Sequence, residues 1–467
     1  MYLYLKNFTD NINYIYHQRY ESHGVMINKV PKDCQLLIIV DSSTNSVNEC
    51  REISQFTDII ILDHHQKDID NPYAIIVNPQ LDNYPNKYLS GSGVVFQTCR
   101  ALDKQFNTKY AFYYVDLVAT GNIGDMMRQD VMENRYISRC GLWRIKQTKS
   151  GNLGLKELVE ETKGTLEINT QDISYYIVPA INAVIRLDDT GKILKLLTSK
   201  DILEVKNIVK ECCTINEFRK SETKRISKLI KEKNIINDDK VIIINMNNIE
   251  CQSSLNGLIA TKLSRDYQRP CFIGKVKDEI FVGSARGYGD DVYLKTECIN
   301  SGLFQFAEGH ESSFGIRFKI DNIKNIINYF NDKFKDYFNE PSILVDLELN
   351  KEELTYDLLK QIDEISYIVG DGYERPVFLI KHITIDKNKS KTIGKKNDHI
   401  KLIGSCDDSD LEIMKFNTEE NINAYKESDW INVIGNIGLN TWHNFRDNKT
   451  IIKRQIISKA IEPIYDF

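Results

Sequence analysis

Short runs of Ile, Val, Leu and Tyr alternate with helical patterns through residues 10–125. That alternation marks successive strand–helix–strand units, which close into a mostly parallel sheet. The spacing predicts strands over residues 12–16, 36–40, 59–62 and 74–77, with helices over 47–55, 93–104 and 111–120. The run Ile59-Ile60-Ile61-Leu62-Asp63-His64-His65 ends a hydrophobic strand on an acid and two imidazoles. Open α/β sheets place their chemistry at the carboxyl ends of strands. The preceding strand ends in Asp41 in the same way, so neighbouring tips can bring two acids and two histidines together around a divalent cation.

At 467 residues the chain is too long for one core, and its length points to about two to four domains. Hydrophobic residues at 42% and charged residues at 27% belong to a soluble globular protein rather than a disordered one. A net charge of -5 argues against indiscriminate polyanion binding and leaves room for a local basic groove. The 10 cysteines show no CxxC pair or regular spacing, even with the vicinal Cys212-Cys213. They read as scattered reduced thiols, which points to the cytoplasm. The amino terminus lacks a signal-peptide pattern, and no run approaches the ~18 apolar residues of a spanning helix. A membrane role has little support.

Residues 193–233 are polar and lysine-rich with a helical period, reading as a long connector. A strand over 240–245 then opens a second α/β unit. Within it, strands over 271–274 and 280–282 are joined by a polar turn over 275–279 and lead into Gly283-Ser284-Ala285-Arg286-Gly287. After Pro341, short β-prone stretches at 377–380, 400–403 and 430–435 suggest a small all-β barrel or sandwich, with a solvated hairpin loop at 386–391.

A catalytic metal held by oxygen and imidazole needs carboxylates and a neutral histidine arriving from separate strands, with positions left for water and substrate. Asp41, Asp63, His64 and His65 supply these types, and Asp125 adds a third acid at a glycine-flanked helix end. Any one strand-end aspartate more often caps the next helix; the ordered combination is what favours a metal site. A second group is Ser284 and Arg286 among glycines, followed by Glu308-Gly309-His310. A hydroxyl and a guanidinium beside glycines can hold a phosphate. Taken alone, Gly-Ser-Ala-Arg is more often a turn, and His310 a structural histidine.

The order of these motifs resembles the DHH phosphoesterase superfamily, and more closely its RecJ-like branch of single-strand DNA exonucleases. Asp41 matches the second-motif aspartate, Asp63-His64-His65 the third motif and Asp125 the fourth. Asn78-Pro79 and Ser90-Gly91-Ser92-Gly93 are similar to the strand exit and glycine-containing helix start between them. Arg186 stands in a segment similar to one that faces nucleic acid, and Tyr267-Gln268-Arg269-Pro270 is similar to a pattern of the DHH-associated domain. Ser284, Arg286, Gly309 and His310 match that domain's substrate motifs, and the stretch 435–444 resembles the end of the RecJ OB-type barrel.

The resemblance implies an α/β architecture in four parts. These are a parallel-sheet DHH domain over 1–190, a helical connector over 191–235, a second smaller α/β substrate-binding domain over 236–340, and a C-terminal all-β OB-type barrel over 341–467. It further implies 5′-to-3′ hydrolysis of single-stranded DNA with Mn2+ or Mg2+. Asp41, His64 and Asp125 would hold metal, Asp63 would support the site, and His65 would contact the scissile phosphate. Arg19, Arg186, Ser284 and Arg286 would grip phosphates, with Gly309 and His310 positioning the substrate.

The family's first motif, an Asp-x-Asp strand end, is expected before Tyr14, yet Met1 falls in the helix that should follow it, and Asp10 is no substitute. A missing N-terminal segment or a separate N-terminal fragment would then complete a second metal position. Two alternatives stay open. One is a catalytically degraded relative that binds single-stranded DNA or a replication or repair protein. The other is a DHH phosphoesterase for short oligonucleotides, which the appended barrel disfavours.

Overall fold

Three parallel strands open the fold: β1 (Leu36–Val40), β2 (Asp58–Leu62) and β3 (Ile75–Val77), in the order β1-β2-β3. The computed structural model describes residues 1–18, 21, 24–81, 83–147, 151–187, 189–233, 235–236, 238–289, 292–337, 343–394, 397–406, 409–416, 418, 420–444 and 449–465. Near-continuous Ile/Val/Leu suits strands covered on both faces. Ile38, Ile60 and Leu62 pack towards the helix Gly91–Phe106, while Ile39, Ile59 and Ile61 pack towards the helix Val47–Ile53. Val40 pairs with Leu62, and Leu62 with Val77. The ladder runs one residue further, since Asp41 N–H donates to Leu62 O (2.8 Å) and Asp63 N–H to Val77 O (3.1 Å). Asp41, Asp63 and Asn78 therefore leave three adjacent strand tips at one level.

The strand predicted over 12–16 is absent, and those residues have no regular structure. Its tyrosines meet other rings instead, Tyr14 edge-on to Tyr2 at 4.9 Å, so residues of high β-propensity pack by their rings without a ladder partner. The predicted connector 193–233 is two helices, Thr190–Thr198 and Ile202–Glu232, separated at Asp201. Asp201 ends the continuity by capping the second helix, its carboxylate accepting from Leu203 N–H and Glu204 N–H. The first half of this 31-residue helix buries Val205, Val209 and Cys212 in a helical core with Leu158, Ile177 and Val184.

The second sheet comprises β4 (Ile242–Asn245), β5 (Cys271–Lys277), β6 (Ile280–Arg286), β7 (Phe306–His310) and β8 (Ser313–Lys319), in the order β4-β5-β6-β8-β7. The polar turn predicted over 275–279 shrinks to Asp278-Glu279, both with positive φ (50° and 62°), as two-residue hairpins require. Val276 continues the buried side of β5, which is why the strand outruns its polar residues. Gly283 to Arg286 consequently lies within strand β6 rather than in a loop.

The third sheet takes β9 (Leu347–Asn350), β10 (Phe378–Ile383), β11 (Lys391–Ile393), β12 (His399–Cys406), β13 (Ser409–Phe416), β14 (Trp430–Asn444) and β15 (Lys449–Ile464). Their order is β11-β12-β13-β15-β14-β10-β9, and a bridge between Ile385 and Gly404 brings the β10 end back to β12, around one apolar interior. This part is not all-β as predicted. The helices Tyr356–Ile365 and Ile422–Glu427 drive Leu359, Ile362 and Tyr425 into that interior, a helical period hidden among β-prone neighbours.

A turn of this C-terminal part clasps the helical layer. Gly370 and Tyr373 exchange backbone hydrogen bonds (3.0 and 3.1 Å), and Asp371 O accepts from Gln129 N–H (2.7 Å). Tyr373 lies under the Arg135 guanidinium at 3.9 Å. Buried Thr170 donates to Val369 O (2.7 Å) and accepts from Val369 N–H (2.9 Å), while Ile368 enters the helical core. Two variants test this clasp by urea denaturation. Gly372→Ala forces a side chain into φ 69° with its Cβ 2.8 Å from Asp130 Oδ1, costing about 1–2 kcal/mol from the backbone alone. Thr170→Val strands two buried backbone groups at about 1–3 kcal/mol. Unchanged midpoints in both would show that the clasp does not stabilise the fold.

Candidate metal centre and cleft

Asp41 leaves β1 in the left-handed region, with φ 61°. Directly beneath it Gly91 starts a helix, and a Cβ there would fall 2.2 Å from Asp41 Oδ1, so only glycine admits the acid at this tip. His64, one residue beyond Asp63, turns its Nε2 to within 3.3 Å of Asp41 Oδ1 and 3.5 Å of Asp125 Oδ2. Ligand-capable atoms of Asp41, His64 and His65 lie within 4.8 Å of one another. Asp125 joins this group through His64, from the C-cap of the helix Val115–Gly124.

Asp63 is the buried member, only 1% exposed. Its carboxylate accepts from Thr44 Oγ1 (2.7 Å), Thr44 N–H (3.1 Å) and His64 N–H (2.8 Å), and pairs with His65 Nδ1 at 2.7 Å. Burial alone would raise its pKa, but the bonds from His65 and Thr44 outweigh burial and hold it well below the ordinary carboxylate range. The same bond raises the His65 pKa. With Nδ1 committed to Asp63, the half-exposed His65 ring has Nε2 left for a ligand. Asn78 completes the brace, donating to Thr44 Oγ1 (3.2 Å) and to His65 O (2.9 Å).

Burial raises the Asp125 carboxyl pKa; the nearby His64 opposes that and Asp41 adds to it. His310, from β7 of the second sheet, also acts on Asp125 in the lowering direction. His310 of the second sheet thus stands near enough to Asp125 to act on its charge. Carboxylate and imidazole donors spaced at 3.3 and 3.5 Å come close to the ~3 Å edge of an octahedron with ~2.1 Å bonds. Oxygen-rich sets with one imidazole suit Mn2+ or Mg2+, so these residues fit such an ion.

Ser284 and Arg286 stand two residues apart on β6, on one face of the strand. The Arg286 guanidinium lies at the start of the helix Asn256–Tyr267, where a Cβ on Gly257 would clash with Nη2. Leu255 precedes that helix without a side-chain cap. The 3-10 turn Ser253–Leu255 runs straight into that helix, so the anion-holding groups on this strand are the Ser284 hydroxyl and the Arg286 guanidinium. Arg186 occupies the last turn of the helix Val178–Leu187, and Arg19 lies outside the described residues. Sequence reasoning overlooked Thr44 and the packing role of Gly91. The one local hint was the polar stretch Ser42-Ser43-Thr44-Asn45-Ser46 following Asp41, in which Ser43 also has positive φ (78°).

The model of the DHH family N-terminal domain matches residues 1–122, and that of the RecJ OB domain matches residues 345–454. The SPbeta prophage-derived YorK of Bacillus subtilis (strain 168), whose name assigns it to the single-strand DNA-specific exonucleases, is 31% identical over 480 residues, covering 96% of this chain and 82% of its own. The single-stranded-DNA-specific exonuclease RecJ of the same organism is 26% identical over 91% of this chain, which spans 54% of that relative. The crystal structure of RecJ in complex with Mn2+ from Thermus thermophilus superposes with a TM-score of 0.73 at 20% identity, over 92% of this chain and 62% of that one. The chain belongs to the DHH family, in its RecJ-like branch.

Proposed function

We propose that this chain is an exonuclease that hydrolyses phosphodiester bonds of single-stranded DNA from the 5′ end with Mn2+ or Mg2+. The observation that carries this reading is the convergence of Asp41, His64 and Asp125 at the strand tips beside a histidine oriented by a buried carboxylate. Names of the relatives and the match to an OB domain support the choice of substrate. In this reading residues 1–190 carry the metal centre, 191–235 connect, 236–340 bind substrate and 341–467 guide the strand.

Asp41, His64 and Asp125 would hold the ion, which supplies Lewis acidity to a phosphate oxygen and to the attacking water. Asp63 holds His65 Nδ1 and raises the imidazole pKa, so that the protonated ring can donate its Nε2–H to an oxygen of the scissile phosphate. Asp63 also holds Thr44, which keeps the β1 exit beside the β2 exit. Ser284 and Arg286 offer a seat for a phosphate, and Gly309 and His310 would position the substrate at the centre. Arg186 and Arg19 would grip further phosphates.

Asp125→Asn should reduce Mn2+-dependent nucleotide release from 5′-labelled single strands by roughly a hundredfold or more, with its melting curve little changed. Gly91→Ala, which displaces Asp41, should cost about 10- to 100-fold. Single strands bound but left uncut by the native chain at every metal concentration would instead favour the non-cutting relative. In the metal-free protein, Asp63→Asn should lower the His65 pKa, read by NMR titration of the imidazole; an unmoved pKa would contradict the brace.

A further inference from the structure

The open face of the second sheet carries a pair of residues that the metal centre does not use. Along β6, β7 and β8 the side chains alternate. Phe281, Ala285, Phe314, Ile316 and Phe318 go into the core, with Ala307 packed beside them. The other face presents three rows fixed by register. The first is His310, Ser313 and Arg286; the second is Glu308, Gly315 and Ser284; the third is Phe306, Arg317 and Val282. Ser284, Arg286 and His310 thus share one face with Phe306 and Arg317. The helix Asn256–Tyr267 covers the β4–β5 side of this face, where Cys271 and Ile273 pack on Ile259 and Leu263. The third row stays open, with Phe306 37% and Val282 48% exposed.

We propose that Phe306 and Arg317 form a second nucleotide subsite, where one base of the single strand stacks on the Phe306 ring and a neighbouring phosphate meets the Arg317 guanidinium. The proposal rests on the exonuclease reading for the strand that occupies it. Three observations carry it. Gly315 lets the ring lie close on the sheet, since a Cβ there would sit 3.3 Å from Phe306 Cε1. The Arg317 guanidinium stands 5.7 Å from the ring centroid and, among the described residues, forms no ion pair. An aromatic ring beside an unpaired arginine on an exposed sheet is the chemistry that holds bases without reading them.

Position and charge agree with this. Phe306 is four residues along β7 from His310, about 14 Å at ~3.4 Å per residue. A single strand entering the cleft would cross that distance with a few nucleotides. The next row adds Lys319 and Lys277 around Ile280. Glu308 in the middle row is the acid that faces the same side, with Asp278 and Glu279 at the hairpin end. Lys275 beside Val282 turns its Nζ to Cys251 O (3.3 Å). The bland alternative is a cation–π pair that only steadies the sheet surface, worth little at an exposed site.

The full chain, its Phe306→Ala, Phe306→Tyr and Arg317→Ala variants, a long oligothymidylate and a thymidine dinucleotide decide between them. Binding is read by fluorescence anisotropy in EDTA and cleavage in Mn2+. Phe306→Ala should weaken binding of the long strand roughly tenfold while leaving hydrolysis of the dinucleotide unchanged, and Phe306→Tyr should retain native affinity. Arg317→Ala should lower the slope of log affinity against log salt by about 0.7. Native affinity in both alanine variants overturns the subsite while leaving the exonuclease reading intact. Equal losses on the long strand and the dinucleotide also overturn it, since the effect would then run through the metal centre. If the native chain cuts neither substrate but these binding losses appear, the subsite stands and the exonuclease reading falls. Phe306→Tyr and Arg317→Ala keep the test decisive should Phe306→Ala fail to fold.

Discussion

Everything at the cleft hangs from the carboxylate of Asp63. Desolvating an ion costs several kcal/mol even after relaxation, and a residue 1% exposed bears most of that cost. Hydrogen bonds to a charged group return about 1.5–3 kcal/mol each. Asp63 has such contacts from Thr44 through both backbone and hydroxyl, from the His64 amide and from the His65 ring. The balance keeps it ionised, as its lowered pKa indicates. One buried charge therefore ties the exit of β1, through Thr44, to the exit of β2, and sets the orientation of His65. His64 is then left to face Asp41 and Asp125.

The centre is shared by three parts of the chain. Strand tips of the first sheet supply Asp41 and His64, a helix end supplies Asp125, and His310 on β7 of the second sheet acts on the Asp125 charge. Immediately after Asp125 the backbone enters the segment that the C-terminal turn clasps, at Gln129 and Arg135. The C-terminal part is therefore fastened to the helical layer within a few residues of Asp125. Gly372 takes its φ of 69° without strain, so the turn can keep the burial of Ile368 and the paired Thr170 bonds.

The strand-end residues were legible in the sequence because register is a local property. Parallel hydrophobic runs of equal length bring Val40 level with Leu62, so Asp41 and Asp63 fall at adjacent tips wherever the helices lie. The Asp125 helix end was legible for a similar reason, its glycine-flanked turn being written in consecutive residues. What long-range packing decides was not. Thr170 and Val369 are 199 residues apart, and nothing near either predicts their bond. The need for glycine at position 91 arises only once Asp41 rests on it. Residues 12–16 failed in the opposite sense, with strand-like composition and no partner strand. Gly283 to Arg286 taken alone read more as a turn because of its glycines, which in the fold serve close strand pairing, where Gly274 and Gly283 meet across β5 and β6.

The central claim is that Asp41, His64 and Asp125 converge to hold one divalent ion. Anomalous diffraction from crystals grown with Mn2+ measures this most directly. The account predicts a peak bonded at once to Asp41 Oδ1, His64 Nε2 and Asp125 Oδ2, at about 2.0–2.3 Å. Crystals saturated with Mn2+ in which those three side chains touch only one another, with the metal bound elsewhere, would contradict it.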